Sequence, residues 1–285
     1  MKLFQKILIG LTCVAGLLGH QAWASSDTQA DSLIFDQYTK QIGVSQQLPI
    51  NELMVKTALY FLDKPYVGGT LEKNTNEQLV VNLRELDCTT FVESCMALSE
   101  TMKSADKSFA HFKAILQRSR YRHGIINGYS SRLHYASDWI FDNEAKGFWK
   151  NITLKIGGFR EEKRINFMSS HYQLYPAIKE DSLMRNKIEK CEDTLNLRNC
   201  YTILPKEKIV DYVKELKDGD IVFFGTKTEG LDFSHVAILY HHKGILTFIH
   251  ASSAGKRVMI QPTSLVDYCQ KSKNCNGIAV VRLHQ

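Results

Sequence analysis

The order of periodic patterns along the chain limits its fold more than any other feature of the sequence. Apolar residues recur at helical spacing in four segments, residues 49–63, a stretch starting near Cys88, residues 108–120 and residues 206–216. Five strand candidates follow at residues 220–225, 235–240, 245–250, 257–260 and 277–283. Turn residues separate most of these strands, which is typical of an antiparallel meander. Helices followed by a run of strands predict an α+β fold.

The segment 121–204 has no such regular pattern. It is aromatic, polar and irregular, with a possible short helix near Asp138. The chain contains no internal repeat and no low-complexity linker, and its length suits one elaborated domain. We therefore expect a single domain over residues 25–285, in which residues 121–204 form an insertion that determines specificity.

The N-terminus resembles a secretory signal. Lys2 and Lys6 precede a mostly apolar run over residues 7–18, which is too short to span a bilayer. Ala22-Trp23-Ala24 matches a small-x-small cleavage site. We expect a signal peptide at residues 1–24, no membrane anchor after its removal, and a secreted or periplasmic mature protein.

The net charge of the chain excludes few classes of function. It has 36 basic and 30 acidic residues, and removal of Lys2 and Lys6 leaves 34 minus 30, or +4. This mild excess suits an anionic polymer such as cell wall, although a solvated basic surface explains it equally well. No nucleic-acid-binding motif is present, and no nucleic-acid partner is expected. The oligomeric state is not indicated.

Four cysteines are arranged as local pairs. Cys191 and Cys200 flank one polar stretch, and Cys269 and Cys275 flank another. In an oxidising compartment, these spacings predict two local disulfides, Cys191 with Cys200 and Cys269 with Cys275.

Cys88 and Cys95 remain, and helix geometry prevents them from pairing. Seven residues span about 10 Å at ~1.5 Å per residue, whereas the Cα atoms of a disulfide lie within ~7 Å. Cys95 belongs to an apolar stripe and is interpreted as a buried hydrophobic residue. Cys88 is then a free thiol at the start of a helix, and nucleophilic catalysis is a good reason for it. A zinc site is the competing interpretation, but the sequence has no CxxC or HExxH spacing, and no metal or cofactor is expected.

Nucleophilic catalysis by Cys88 requires a base, and two histidines in strand-like runs are candidates. A helix N-terminus stabilises a thiolate by only ~0.3–1 kcal/mol, less than the ~1.36 kcal/mol of one pKa unit. A neighbouring imidazolium must therefore dominate. We assign His235 as this partner and as the proton donor to the leaving amine. His250 would orient the His235 ring, and the backbone N–H of Cys88 would stabilise the oxyanion.

Five motifs occur in order along the chain: Pro65-Tyr66 with the following glycine pair, Asp87-Cys88 before a helix, residues 219–224, residues 234–238 and Ile249-His250-Ala251. Together they resemble the NlpC-type papain-like superfamily of bacterial cell-wall peptidases and amidases. Residues 66–72, 86–93 and 132–140 more narrowly resemble one branch, long catalogued as a domain of unknown function and associated with N-acetylmuramoyl-L-alanine amidase activity. The segment between Cys88 and His235 is much longer than in simpler members.

The resemblance implies a papain-like fold, with the cysteine helix packed on a C-terminal antiparallel sheet or half-barrel. It implies Tyr66 near the nucleophile and a polar third residue, commonly histidine, at the position of His250. The implied function is hydrolysis of the N-acetylmuramoyl–L-alanine amide of peptidoglycan or its fragments, through a thioester.

A further set of residues combines charge, hydrogen-bonding groups and flat aromatic surfaces. Such a mixture suits a sugar and a peptide carboxylate. The expected substrate contacts are Arg132, His134, Tyr135, Asp138, Trp139 and Ser234. An ordinary amphipathic segment with a buried Trp139 would give the same pattern.

Three other functions remain open at this point. The same chemistry could cut the γ-D-glutamyl–diaminopimelate bond within the stem peptide. The domain could bind cell wall without catalysis, or transfer acyl groups to an added amine.

Overall fold

A computed structural model of the chain describes residues 13–284, with side chains from residue 28 onward. Residues 1–12 of the predicted signal peptide lie outside the described residues, as do the side chains of its remainder. Among the helices that are described, none has the length and apolarity needed to cross a membrane. The α-helices are α1 (Cys13–Ile42), α2 (Ile50–Tyr60), α3 (Cys88–Lys103), α4 (Phe109–Arg120), α5 (Ala136–Ala145), α6 (Phe167–Ser170), α7 (Pro176–Lys179), α8 (Ser182–Arg198), α9 (Ile209–Tyr212) and α10 (Leu265–Lys271).

An antiparallel sheet forms the other half of the fold. Its strands are β1 (Trp149–Asn151), β2 (Phe159–Arg160), β3 (Thr202–Pro205), β4 (Ile221–Thr226), β5 (Phe233–His242), β6 (Ile245–Ser252), β7 (Arg257–Ile260) and β8 (Cys275–Leu283). The described strands run in the order β2-β3-β8-β4-β5-β6-β7, and β1 also pairs with β8. The predicted α+β class is therefore confirmed.

Helix α3 packs against the sheet through a core of apolar side chains. Phe91, Val92 and Cys95 are fully buried in the same cluster as Val236 and Ile249 of strands β5 and β6. The prediction that Cys95 is a buried hydrophobic residue agrees with this position. Because α3 begins at Cys88, its packing brings that residue against strand β5.

The five predicted strands are present as β4 to β8, with bounds that differ by a few residues. Strands β4 to β7 form a meander of sequential antiparallel pairs, but β8 pairs with β4 and not with β7. The helix predicted at residues 206–216 is broken into the short α9 and flanking 3-10 turns. Helices α8 and α10 were not predicted.

Residues 121–204 are partly integrated into the sheet. Strands β1 and β3 lie within this segment and pair with β8. The rest includes helices α6 to α8, which share a separate small core around Ile165, Ile178, Ile188 and Leu195. The segment therefore contributes both to the main fold and to an added helical layer.

Neither predicted disulfide is present, because all six described cysteines outside the first helix are free thiols. Cys191 lies on α8 and donates to the Ser130 carbonyl at 3.6 Å, whereas Cys200 donates to the Ser137 carbonyl at 3.9 Å. The predicted pair thus faces two different acceptors. Cys269 and Cys275 do contact each other, but through a thiol hydrogen bond rather than a covalent bond.

A buried ion pair joins α3 to α4 and yields a test of stability. Arg120 Nε lies 2.8 Å from Glu93 Oε2, and both side chains are almost fully buried. Glu93→Ala should lower the free energy of unfolding by about 3–5 kcal/mol, because it leaves a buried guanidinium without its carboxylate. Urea unfolding followed by circular dichroism measures the change. Glu180→Ala, at an exposed ion pair with Lys179, is the control, and equal losses in both variants would contradict the prediction.

Candidate active site

Cys88 occupies the first position of helix α3, which a reciprocal cap holds in place. The Thr90 amide donates to Asp87 Oδ1 at 2.8 Å, and the Asp87 amide donates to Thr90 Oγ1 at 2.9 Å. This capping box satisfies two backbone donors at the helix start. The N–H of Cys88 has no acceptor within its own helix, as for any residue of the first turn. It is therefore available to a negative charge that develops beside the thiol.

The two predicted histidines lie on neighbouring strands and contact each other. His235 is on β5 and His250 is on β6, with Nε2 of His235 2.8 Å from Nδ1 of His250. Their rings are nearly perpendicular, at an interplanar angle of 78°. This leaves Nδ1 of His235 as its second ring nitrogen, free of the His250 contact.

One cavity brings the nucleophile candidate and the first histidine together. This Cys88 cavity has an open volume of about 540 Å³, and its lining includes Cys88, His235, Ser234, His134 and Trp139. The Val236 amide of β5 donates to the Cys88 thiol. Within the described residues, no hydrogen bond joins the thiol directly to His235. The two groups therefore share a cavity without a direct bond in this state.

Burial keeps both groups uncharged. Desolvation, and then the charge of Asp87, raise the pKa of Cys88 to about 11. Desolvation, and then His250, lower the pKa of His235 to about 3, and burial lowers that of His250 to about 4. At neutral pH the site thus holds a thiol and a neutral imidazole. This differs from the imidazolium-paired thiolate expected from the sequence, because desolvation opposes both charges.

Tyr66 lies beside Cys88, as the resemblance implied. Its backbone is held between two segments, with its amide donating to the Lys256 carbonyl at 2.9 Å and a bridge to Leu86. Burial, followed by the nearby Cys88, raises the pKa of the Tyr66 hydroxyl. The hydroxyl therefore stays protonated and can donate a hydrogen bond next to the thiol.

The predicted substrate contacts divide into two groups. Ser234, His134 and Trp139 line the Cys88 cavity, where Ser234 is exposed and Trp139 is buried with Nε1 donating to the Ser119 carbonyl. His134 holds Nε2 2.9 Å from the Tyr129 carbonyl.

The other three do not line the Cys88 cavity, and their polar groups are already paired. Arg132 forms ion pairs with Glu72 and Glu77, and Asp138 pairs with Arg122 and Arg198 at 2.7 Å each. Their charges are thus neutralised within the protein, and this favours a supporting role.

Tyr135 belongs to a second cavity with an open volume of about 660 Å³. We call it the tyrosine cavity, since Tyr129, Tyr135 and Tyr175 line it together with Glu72. The Tyr135 hydroxyl donates to Glu192 at 2.7 Å and is thereby fixed. The walls of both cavities include His134 and Leu231, so the two spaces adjoin.

Asp232 is a residue of the site that the sequence interpretation missed. It is fully buried at the Cys88 cavity, and it accepts from the amides of Ser137 and Phe233 at 2.7 Å each. Through the Ser137 contact it caps the start of α5, and it lies two residues before Ser234. Its position directly before the Phe233-Ser234-His235 run was the available signal.

The described residues contain no group of three or more histidine, cysteine or acidic side chains placed to hold a metal ion. The groups at the Cys88 cavity include a thiol, the imidazoles of His134 and His235, and the Asp232 carboxylate.

Solved structures similar to this chain include two from Bacteroides. An N-acetylmuramoyl-L-alanine amidase from Bacteroides uniformis is 36% identical with a TM-score of 0.77, over 83% of this chain and 99% of that one. A putative xylanase from Bacteroides fragilis is 36% identical with a TM-score of 0.75, over 80% of this chain and 100% of that one. A protein from Legionella pneumophila at 21% identity, with a TM-score of 0.70 over 92% and 97% of the two chains, shows the shared fold alone.

No match was found among the curated proteins. The model of the AmiA-like family, described as N-acetylmuramoyl-L-alanine amidase-like, matches residues 56–278. This range includes Cys88, His235 and His250. The chain therefore belongs to the AmiA-like, N-acetylmuramoyl-L-alanine amidase-like family.

Proposed function

We propose that this protein is an exported cysteine amidase that cleaves the amide between the muramic-acid lactyl group and L-alanine in peptidoglycan or its fragments. The observation that carries the proposal is one cavity lined by both Cys88 and His235, with His235 bonded to His250. The family and the amidase from Bacteroides uniformis support the choice of bond. The predicted signal peptide supports a secreted or periplasmic location.

The arrangement supports a papain-like site of the NlpC type. A thiol at the start of a helix faces an antiparallel sheet, whose adjacent strands β5 and β6 carry the two histidines. A nucleophile, a base and an orienting residue placed in this order are the parts of a catalytic triad, which is recognised by its geometry.

The reaction begins with attack of the Cys88 sulfur on the lactyl carbonyl carbon. His235 takes the thiol proton as the C–S bond forms, and the Cys88 amide and Tyr66 hydroxyl donate to the oxyanion. The C–N bond then breaks, and His235 gives the proton to the alanine nitrogen. The free stem peptide leaves a lactyl thioester on Cys88. Water activated by His235 hydrolyses this thioester and regenerates the thiol.

The adjoining cavities suit a substrate that extends on both sides of the scissile amide. The Cys88 cavity takes the amide, and the tyrosine cavity offers flat aromatic walls. A sugar ring stacks well on such aromatic surfaces, which favours a muropeptide over a short peptide.

The name of the Bacteroides fragilis neighbour raises a glycoside hydrolase as an alternative. That chemistry usually needs two carboxyl groups flanking the bond. Among the described residues that line the Cys88 cavity, the carboxylate is Asp232, and both of its oxygens accept backbone N–H groups. The composition of the cavity therefore favours amide cleavage.

Mass spectrometry of digested muropeptides tests the scissile bond. The wild-type protein should release a free disaccharide and an intact tetrapeptide, and Cys88→Ala should release neither because the nucleophile is gone. Cys200→Ala removes a thiol that does not line the cavity and should leave the products unchanged.

A disaccharide that retains a dipeptide would instead assign the enzyme as a γ-D-glutamyl–diaminopimelate endopeptidase. Wall binding without any product, unaffected by Cys88→Ala, would indicate a binding module. A product condensed with an added amine would indicate an acyltransferase.

The two histidines should differ in their contribution to rate. His235→Ala should lower kcat by about 10³–10⁴-fold, because it removes both general base and general acid. His250→Ala should cost about 10–100-fold, because an orienting partner acts through His235. Initial rates on a purified muropeptide measure both, with circular dichroism to check folding. Equal and nearly complete losses would show that the two roles are not divided in this way.

The neutral state of the site predicts how Cys88 reacts with iodoacetamide. Its raised pKa means that the thiolate fraction, and hence the alkylation rate, should increase steadily between about pH 6 and 10. Peptide mass spectrometry separates Cys88 from the other thiols, and buried Cys95 should stay unmodified. A rate that is already constant below about pH 8 would reveal a thiolate–imidazolium pair instead. Alkylation of Cys95 before Cys88 would overturn the assignment of the two thiols.

A further inference from the structure

The second ring nitrogen of His250 is buried without a hydrogen-bond partner among the described residues. His250 is 3% exposed, and its Nδ1 is engaged with His235. Its Nε2 is also buried, but it has no hydrogen bond of good geometry within the described residues. A buried polar atom without a partner is costly and needs an explanation.

The proton on His250 decides whether His235 can act as a base. Nε2 of His235 faces His250, so only its Nδ1 is left to accept the thiol proton. Nδ1 of His235 is free of a proton only if Nε2 carries it and donates it to His250. Nδ1 of His250 must then be the acceptor, which puts the His250 proton on Nε2.

Sheet register brings Gln261 to the face of the sheet that carries His250. His250 of β6 pairs with Met259 of β7, so Met259 and the residue two positions later share the face of His250. That residue is Gln261, whose amide donates to the Phe248 carbonyl at 2.9 Å. Its side chain lies close enough to His250 to act against the burial that lowers the pKa of the imidazole.

Thr263 orients the Gln261 carboxamide, and Thr247 holds the backbone of this segment. Nε2 of Gln261 donates to Thr263 Oγ1 at 2.9 Å. The Thr247 hydroxyl lies 2.8 Å from the backbone carbonyl oxygen of Gln261 and 2.8 Å from that of Thr263. With its nitrogen held by Thr263, the carboxamide has its oxygen left to accept a hydrogen bond.

We propose that Gln261 is a positioning residue that keeps the His250 proton on Nε2. His235 thereby donates from Nε2 to His250 and presents an unprotonated Nδ1 to Cys88. The catalytic part of this inference rests on the proposed amidase function. The tautomer of His250 is a property of the folded protein and is independent of any substrate.

Long-range ¹H–¹⁵N NMR on the ¹⁵N-histidine-labelled mature chain tests the proposal. The resonances of His250 are assigned by their loss in His250→Asn. The wild type should show a protonated Nε2 and an unprotonated Nδ1. Gln261→Met keeps the size of the side chain but removes the acceptor, and it should give a mixture of tautomers. Gln261→Glu restores an oxygen acceptor and should return the proton to Nε2.

Kinetics on a muropeptide provide the second readout. Gln261→Met should lower kcat by about 10–100-fold with little change in KM, and Gln261→Glu should recover most of the loss. A proton on Nδ1 of His250 in the wild type would overturn the proposal, even if Gln261→Met failed to fold. Unchanged tautomer and kcat in a folded Gln261→Met would also overturn it. Absence of amide cleavage by the wild type would refute the proposed function but leave the tautomer result interpretable.

Discussion

The packing of the capped start of α3 against β5 determines the position of every group in the site. Asp87 and Thr90 fix the first turn through their reciprocal hydrogen bonds. Phe91 and Val92 follow directly and are fully buried, so the helix cannot rotate without exposing its core face. The Cys88 thiol is consequently held against the Val236 amide. His235 precedes Val236 on the same strand, and its position follows from the same contact.

The C-terminal sheet and the start of α3 could be predicted because their signals are local. Strands alternate or run as short apolar stretches, and turn residues separate them. Gly219 is such a turn residue, and only glycine fits there. Its φ is +84°, and a Cβ would lie 2.3 Å from the Asn51 carbonyl oxygen. The last strand, β8, pairs with β4 and not with β7 at the end of the meander. This position could not be predicted, because pairing between distant strands leaves no local pattern.

Helix α8 shows why the structure of residues 121–204 could not be predicted from the sequence. Few of its side chains are buried, among them Ile188 and Leu195, so it has no broad apolar face. It is instead tied to the site by polar contacts over long sequence separations. Glu192 accepts from the Tyr135 hydroxyl at 2.7 Å, and Arg198 at its end pairs with Asp138. The sequence identified Tyr135 and Asp138 as polar candidates for substrate contact, but their partners lie about 60 residues away.

Burial also explains why the charge state of Cys88 and His235 differs from the thiolate–imidazolium pair that the sequence favours. A helix start and a neighbouring imidazolium both stabilise a thiolate, but the dominant effect on the pKa of Cys88 and of His235 is desolvation. On the proposed mechanism, charge then separates only during attack, when the thiol proton moves to His235. Fixed dipoles aimed at the developing charges are effective in such a desolvated site, because they need no reorganisation. The Cys88 amide is placed for the negative charge on the oxyanion, and the His250 contact is placed for the positive charge on His235. The need to stabilise these two charges accounts for buried polar groups at an otherwise apolar helix–sheet interface.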